Sequence, residues 1–292
     1  EDLDVFGTYL TNRFSADKHL MRVDVTQKKE AIAAAKGMDV VIHAAAITAG
    51  AKEIISRPYI FVTDNAVMNA HALQAVYDNH VPHFVFLSCS VMYQPNTGKP
   101  VKESDFKIDD ELHKNYFGPG WTKIYGEKLC EFYARLGRTK FTVVRHSNIY
   151  GPYDKYDLDR SHVFGATITK VLTASDKVVV WGEGKEERDI SHVSDLVRFV
   201  ELAIGSQKNP FELINVGAGK PIAIRDLVKK IIAISGKNLS IEYDTSKPTI
   251  PTRLSLDIRE ARKKFGWKPM IMLDDGIRKT IAWHKKNISA KK

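Results

Sequence analysis

The chain is poor in cysteine: Cys89 and Cys130 are the two it has. Two cysteines build no disulfide framework, and free thiols fit a reducing, cytoplasmic compartment. They show no paired spacing and the histidines are scattered, so no structural zinc site is expected. No apolar run reaches the roughly 18 residues of a membrane span. Zinc-finger spacing, a basic–aromatic repeat and a heptad zipper are missing as well, which argues against a nucleic-acid partner. Internal repeats and low-complexity segments are absent. One further absence matters more. No G-x-x-G-x-x-G turn follows a strand and opens a helix, although that turn is what usually holds a dinucleotide pyrophosphate.

What is present is ordinary globular material: 292 residues, 43% hydrophobic and 27% charged, enough to bury a full core without staples. The formal net charge is +9. From Lys220 onward, Lys and Arg outnumber Asp and Glu by more than two to one. Such an excess suits an anionic ligand or a solvated helix face.

Periodicity divides the chain into short strands and helices. Strands are expected at 4–10, 19–26, 38–46, 83–90 and 141–148, and helices at 28–37, 62–80 and 121–137. The run "MDVVIHAAA" is almost continuously apolar, as in a strand buried on both faces. Strand and helix in alternation predict a Rossmann-type, doubly wound parallel sheet with right-handed crossovers. Residues 1–152 form this dinucleotide-binding part. After "IYGPYD" the pattern loosens into helices at 161–174, 194–204, 223–235 and from 273, with strands at 177–182, 212–219 and 240–244. Residues 153–292 are expected to be mainly a smaller α/β, nucleotide-sugar-binding part. "EDLDVFGTYL" reads as the end of a first helix running into the second strand of the sheet. About 25–30 residues, the usual length of the unit carrying the glycine turn, are therefore expected to precede Glu1.

The segments "RHSNIYGPYDKYDLDRSHV", "VVVWGEGKEERDISHVSDL", "TKIYGEKLCEFYARLG" and "KPTIPTRLSLDIREARKKFGW" carry the sharpest signal. Together they resemble the extended short-chain dehydrogenase/reductase family, and within it the GDP-L-fucose synthase branch, over nearly the whole chain. The resemblance implies an NADP(H)-dependent epimerase and/or reductase acting on a nucleotide-activated 4-keto sugar, with NAD the less favoured cofactor. It also implies a homodimer built on the helices at 62–80 and 121–137. In that reading Lys123 matches the family's catalytic lysine and His162 the acid of the epimerisation step. Arg13, where no acidic residue stands, favours a 2′-phosphate. Asp24 and Val25 match the adenine contact, and Ala44, Ala45 and Ala46 the strand end beside the cofactor ribose. Asn65, Ser88 and His146 complete the implied cofactor site. Asn148, Val163, Trp181, Arg188 and Lys247, with His162, match the positions that hold the sugar nucleotide.

The chemistry explains why such residues recur. A ketone reduced by hydride needs an acid at the developing alkoxide, and a phenol beside an ammonium serves because the cation lowers its pKa from about 10. Against that pattern the chain departs at three places. Pro119 stands where the tyrosine belongs, Val91 where the epimerase cysteine belongs, and Cys89, with Ser90 next to it, where the catalytic serine belongs. Proline supplies no proton and fixes its own φ. Tyr116 is the expected substitute, folded back by an "FGPG" turn. Tyr125 is a poorer one, because two residues along a helix turn it about 200° from Lys123. Cys89 could replace the missing thiol as a base, or pack as a small hydrophobe at a strand end. The same departures leave open a non-catalytic NADP(H)-binding homologue or a rearranged active site.

Overall fold

The computed structural model describes residues 3–11, 17–48, 50–94, 98–158 and 161–288. Arg13, expected to select the cofactor, lies outside these residues. The chain begins with two short strands, β1 (Gly7–Tyr9) and β2 (Leu20–Arg22), that pair in parallel as a sheet of their own. Helix α1 (Lys28–Ala35) is an alanine-rich stretch that stops before Gly37, whose φ of 74° a β-carbon would disfavour. Strand β3 (Val40–His43) follows. A short helix, α2 (Ala51–Ser56), and a tight turn at Pro58–Phe61 then lead into α3 (Thr63–Asp78).

Strand β4 (His83–Leu87), helix α4 (Phe117–Arg135), strand β5 (Lys140–His146) and the short β6 (Asn148–Tyr150) come next. Helix α5 (Val163–Thr173), strands β7 (Lys177–Trp181) and β8 (Glu187–His192), and helix α6 (Val193–Ser206) precede β9 (Phe211–Val216). The chain continues through β10 (Pro221–Ala223), α7 (Ile224–Ser235), β11 (Ser240–Asp244), β12 (Arg253–Leu254), α8 (Arg259–Phe265) and α9 (Leu273–Asn287).

The main sheet runs β3-β4-β5-β9, all parallel. Its side chains alternate between two faces. Phe84, Phe86, Phe141 and Val143 point to α1, α3 and α4, where Leu73, Val76, Cys130 and Ala134 meet them. Val85, Val144, Ile214 and Val216 point the other way, onto α6 and α8 through Phe199, Phe265 and Trp267. The result is three layers, helix–sheet–helix, as the alternating pattern predicts. Each fully buried Phe or Leu contributes roughly 1.5–3 kcal/mol. Gly126 lets α4 come close, since a β-carbon there would stand 2.7 Å from Phe86. On its far side β3 has no ladder partner among the described residues, and Ile42 is 48% exposed.

Beyond β6 a second core gathers α5, α7 and α9 around Phe164, Ile168, Leu227 and Ile277. There β7 pairs with β11, while β8 is joined by β10, β12 and β6. The strand β9, although late in the chain, returns to the main sheet beside β5.

Two expectations are corrected, and one strand went unread. The helix expected from residue 121 begins at Phe117, so "FGPG" is its first turn and not a loop. The first-turn N–H groups have no intrahelical acceptor, so Pro119 costs no hydrogen bond. The helix expected from Ser161 begins at Val163, with His162 at its N-cap. Strand β8 was hidden because Glu187, Arg188 and Asp189 look like loop; partners on both edges make it a strand.

Candidate active site

In a doubly wound sheet the loops beyond the carboxyl ends of the strands form the ligand crevice. Here those ends carry His43, the segment Ser88–Tyr93 and His146. Ser88 is fully buried; its Oγ donates to Glu127 Oε1 at 2.5 Å and its N–H to Val144 O at 2.9 Å. It is therefore a clasp between β4 and α4. Cys89 packs at the edge of an apolar cluster with Met92, Ile124 and Leu256. Burial pushes its thiol up, against the pull of Lys123 and of a Val91 N–H.

Lys123 projects from α4 toward the same strand end. Its Nζ donates to Leu87 O at 2.7 Å and lies 5.0 Å from the centre of the Phe86 ring. An ammonium has three donors, so two remain. Burial lowers its pKa, although Cys89, Glu127 and Cys130 oppose that. Tyr116, at the helix N-cap, is seven residues before Lys123 and shares its face, roughly 10 Å away along the axis. The charged or ionisable groups that act on Tyr116 are Arg188 and Cys89, and burial raises its phenol pKa. Tyr125 is 54% exposed on another side of the helix.

Tyr116 lines a small cavity of about 60 Å³ with Ser90, Val91, Asn148 and Arg188. Asn148 donates to Asp189 O at 3.2 Å. The Arg188 guanidinium is held by backbone: Nη2 donates to Ile250 O at 2.7 Å, and Nη1 to Glu187 O at 3.1 Å and Thr252 O at 3.3 Å, with a further bond to the Thr252 hydroxyl. No carboxylate among the described residues pairs with it. A half-buried guanidinium fixed by carbonyls keeps its full charge for an anion.

His146 donates its Nδ1–H to Ser147 O at 2.7 Å, since a carbonyl only accepts. Nε2 is then the lone-pair nitrogen. Burial, with Lys123 and His162 adding to it, holds this imidazole neutral, its pKa down to about 4. His162 caps α5 without a side-chain cap bond. It keeps solvent access while the surrounding protein, and then Lys155, lower its pKa. Lys155 itself donates to Thr48 O at 2.9 Å and so ties this loop to the end of β3.

Lys123, Cys89, His146, His162, Tyr116, Ser90, Asn148 and Arg188 thus converge on one region. Other expected residues are engaged elsewhere. Asn65 uses its side chain on Ile47 N, Ile47 O and Phe61 O, a staple for the loop after β3. Asp24 accepts from the Thr26 N–H and hydroxyl, which lower its pKa, and Val25 packs on the α1–α3 core. Val163 packs into the second core. Trp181 lies under the Lys170 ammonium, 5.3 Å from the ring centre, and Lys247 is exposed. Ala44 is exposed and Ala45 and Ala46 half-buried, leaving the end of β3 open to a flat group. The alanines and one of the two spare Lys123 donors fit the ribose–nicotinamide end of a dinucleotide. No glycine-rich turn among the described residues offers its pyrophosphate a seat.

Sequence reasoning missed the support beneath the site. Arg145 forms a two-point ion pair with Glu127, Nε–Oε1 at 2.9 Å and Nη2–Oε2 at 2.6 Å, both side chains almost wholly buried. Arg145 also donates to Tyr93 OH, which donates to Asn215 Oδ1 at 2.7 Å. The signal was available: an arginine inside the apolar strand "FTVVRH" demands a buried partner.

A three-layered, doubly wound α/β protein with an ammonium, two imidazoles and an unpaired guanidinium at its strand ends belongs to the broad class of dinucleotide-fold enzymes. The NAD dependent epimerase/dehydratase family model matches residues 5–217, and the chain belongs to that family, an enzyme of the short-chain dehydrogenase/reductase type. It is 32% identical to GDP-L-colitose synthase of Yersinia pseudotuberculosis, over 83% of this chain and 80% of that one. It is 30% identical to GDP-L-fucose synthase of Escherichia coli K12, over 87% and 82%. Among solved structures, a GDP-6-OMe-4-keto-L-xylo-heptose reductase from C. jejuni superposes with a TM-score of 0.82 at 22% identity, covering 91% of this chain and 89% of that one.

Proposed function

We propose that the protein is an NADP(H)-dependent epimerase and/or reductase acting on a GDP-linked 4-keto sugar. The observation that carries this reading is Arg188, a guanidinium held by backbone carbonyls and open to an anion, beside Asn148 and within electrostatic reach of Tyr116. A nucleoside diphosphate matches it in charge and geometry. The GDP-sugar synthases at about 30% identity support the same choice of nucleotide.

In this reading the bound nicotinamide supplies hydride to the sugar carbonyl. Lys123 and the alanines after β3 orient the ribose and nicotinamide. His162, at the mouth of α5, delivers a proton to the sugar carbon on one face, and Cys89 is the candidate base for the other once its thiol, whose pKa burial raises, has given up its proton. Asn148, Trp181 and Lys247 belong to the sugar-nucleotide side. Residues 1–152 are read as the cofactor part and 153–292 as mainly the substrate part, although β9 returns to the main sheet. A cytoplasmic homodimer is part of the proposal.

The test adds NADPH and GDP-4-keto-6-deoxymannose to the full-length protein and follows nicotinamide absorbance. Oxidation supports a reductase. Deuterium entering the sugar without oxidation leaves an epimerase. If neither occurs, this substrate is ruled out and a second reading is favoured, a non-catalytic NADP(H) binder, for which Pro119 and Val91 speak.

A further inference from the structure

The reaction read above needs a proton at the sugar oxygen, and the residue that should hold it is a proline. Pro119 lies four residues before Lys123 on α4, one turn toward the N-terminus on the same side of the helix. We propose, on the basis of that functional reading, that Lys123 is itself the proton donor: an Nζ–H of its ammonium protonates the carbonyl oxygen, and no phenol takes part.

The other candidates are each held in an unsuitable state. Tyr116 stands at the N-cap, about two helical turns and roughly 10 Å along the axis from Lys123, and Lys123 is not among the groups that act on its phenol. Its ring packs 5.7 Å from His113, its ionisable neighbours are Arg188 and Cys89, and its phenol is made a weaker acid by burial. Tyr93 is buried and bonded to Arg145 and Asn215. His146 has spent its only proton on Ser147 O and turns a lone pair to the site. Ser88 is committed to Glu127.

Lys123 has what these lack. Two of its three donors are uncommitted, and it is half-buried rather than sealed. Among the described residues no carboxylate touches its charge, since Glu127 is occupied by Ser88 and both arms of Arg145. The groups that face it are His43 from β3, Cys89 beyond β4, Glu127 and Cys130 from α4, and His146 from β5. The two imidazoles are held neutral and the two thiols protonated, so burial outweighs the opposing pull of Glu127 and weakens the ammonium. A weakened ammonium is a better acid near neutral pH.

The step balances. Hydride from a reduced nicotinamide forms the C–H bond while the C=O π pair moves to oxygen. That oxygen takes a proton from Nζ, leaving alcohol and neutral amine. Solvent then returns a proton to the amine.

The discriminating variant is Lys123→Arg, which keeps the positive charge and reaches Leu87 O but holds its protons at any working pH. The expected result is a fall in kcat of about 10²–10⁴ with NADPH affinity, read by fluorescence, changed by less than about tenfold. Adding Pro119→Tyr to Lys123→Arg restores a phenol beside a cation and should recover at least about tenfold of the lost rate. Wild-type kcat should fall as pH rises through the Lys123 value, and Lys123→Arg should lack that limb.

A readout independent of turnover is the NMR titration of the ¹³C-methylated chain without ligands. The resonance missing in Lys123→Arg should titrate below the usual value of about 10.4. Titration at or above it overturns the proposal. So does turnover that survives Lys123→Arg, or a limb that persists there and vanishes in Tyr116→Phe, which makes Tyr116 the donor. Absence of NADPH oxidation by the wild type removes the reductase half of the functional reading and overturns this proposal with it.

Discussion

Removing the Glu127 carboxylate while leaving Arg145 in place should be among the most costly single changes in the protein. The two side chains are 6% and 4% exposed. Deleting the carboxylate strands a guanidinium whose remaining acceptors are Tyr93 OH at 3.0 Å and Glu103 O at 3.2 Å, neither of them charged. Breaking a buried pair from one side costs about 3–5 kcal/mol. Glu127→Leu should therefore lower stability by about 3–5 kcal/mol, or Tm by roughly 6–20 °C for a protein of this size. Replacing both partners removes the stranded charge. Glu127→Leu with Arg145→Met leaves Tyr93 its bond to Asn215 and costs chiefly the Ser88 hydroxyl its acceptor, about 1–2 kcal/mol. The assay is a double-mutant cycle in urea, with each midpoint read by circular dichroism. A single variant losing less than about 1 kcal/mol, or a double variant as damaged as the sum of the singles, would refute the reasoning.

Asp154 and Asp189 have carboxyls pushed up by burial to about 6, yet amide replacements should act oppositely. A folded-state value above the unfolded one makes stability fall as pH rises from about 4 to about 6, because the unfolded chain gives up its proton first. Asp154 has an orphaned Oδ2, so Asp154→Asn should gain up to about 3 kcal/mol above pH 6 in chemical denaturation. Asp189 accepts from Ala218, Gly219 and Leu256 N–H groups through both oxygens, so Asp189→Asn should lose about 1–3 kcal/mol at pH 7. Equal signs for the two variants would contradict this account. A β-carbon at Gly276 would run into Tyr150 OH, so Gly276→Ala should cost about 1–3 kcal/mol, partly recovered by Tyr150→Phe in thermal melts. Arg188→Met should weaken GDP binding roughly 10–100-fold by calorimetry, and a loss under about threefold would remove Arg188 from the phosphate site.

Much of the main sheet was legible because its strands are apolar runs bounded by turn residues, and because α3 and α4 repeat their apolar positions at helical spacing. Strand β8 was not, since Glu187, Arg188 and Asp189 are polar for reasons that lie in other elements. Arg188 meets carbonyls near residue 251, and Asp189 meets N–H groups in the loop after β9 and beside β12. The start of α4 was misread because glycine and proline in "FGPG" usually mark a turn. The first turn of a helix is the one place where such residues cost little.

By itself the sequence determined the fold class, the family resemblance and the three departures at Cys89, Val91 and Pro119, because periodicity and motif spacing are local properties. What the tertiary structure alone decided is where the polar groups find partners. It turned Ser88 and Asn65 into clasps, buried Glu127 against Arg145, left Arg188 charged and unpaired, and set Lys123 between neutral histidines with two donors to spare. Hydrogen-bond partners and burial depend on residues up to a hundred or more positions apart, as Tyr93 and Asn215 are, and no local pattern in the chain encodes that meeting.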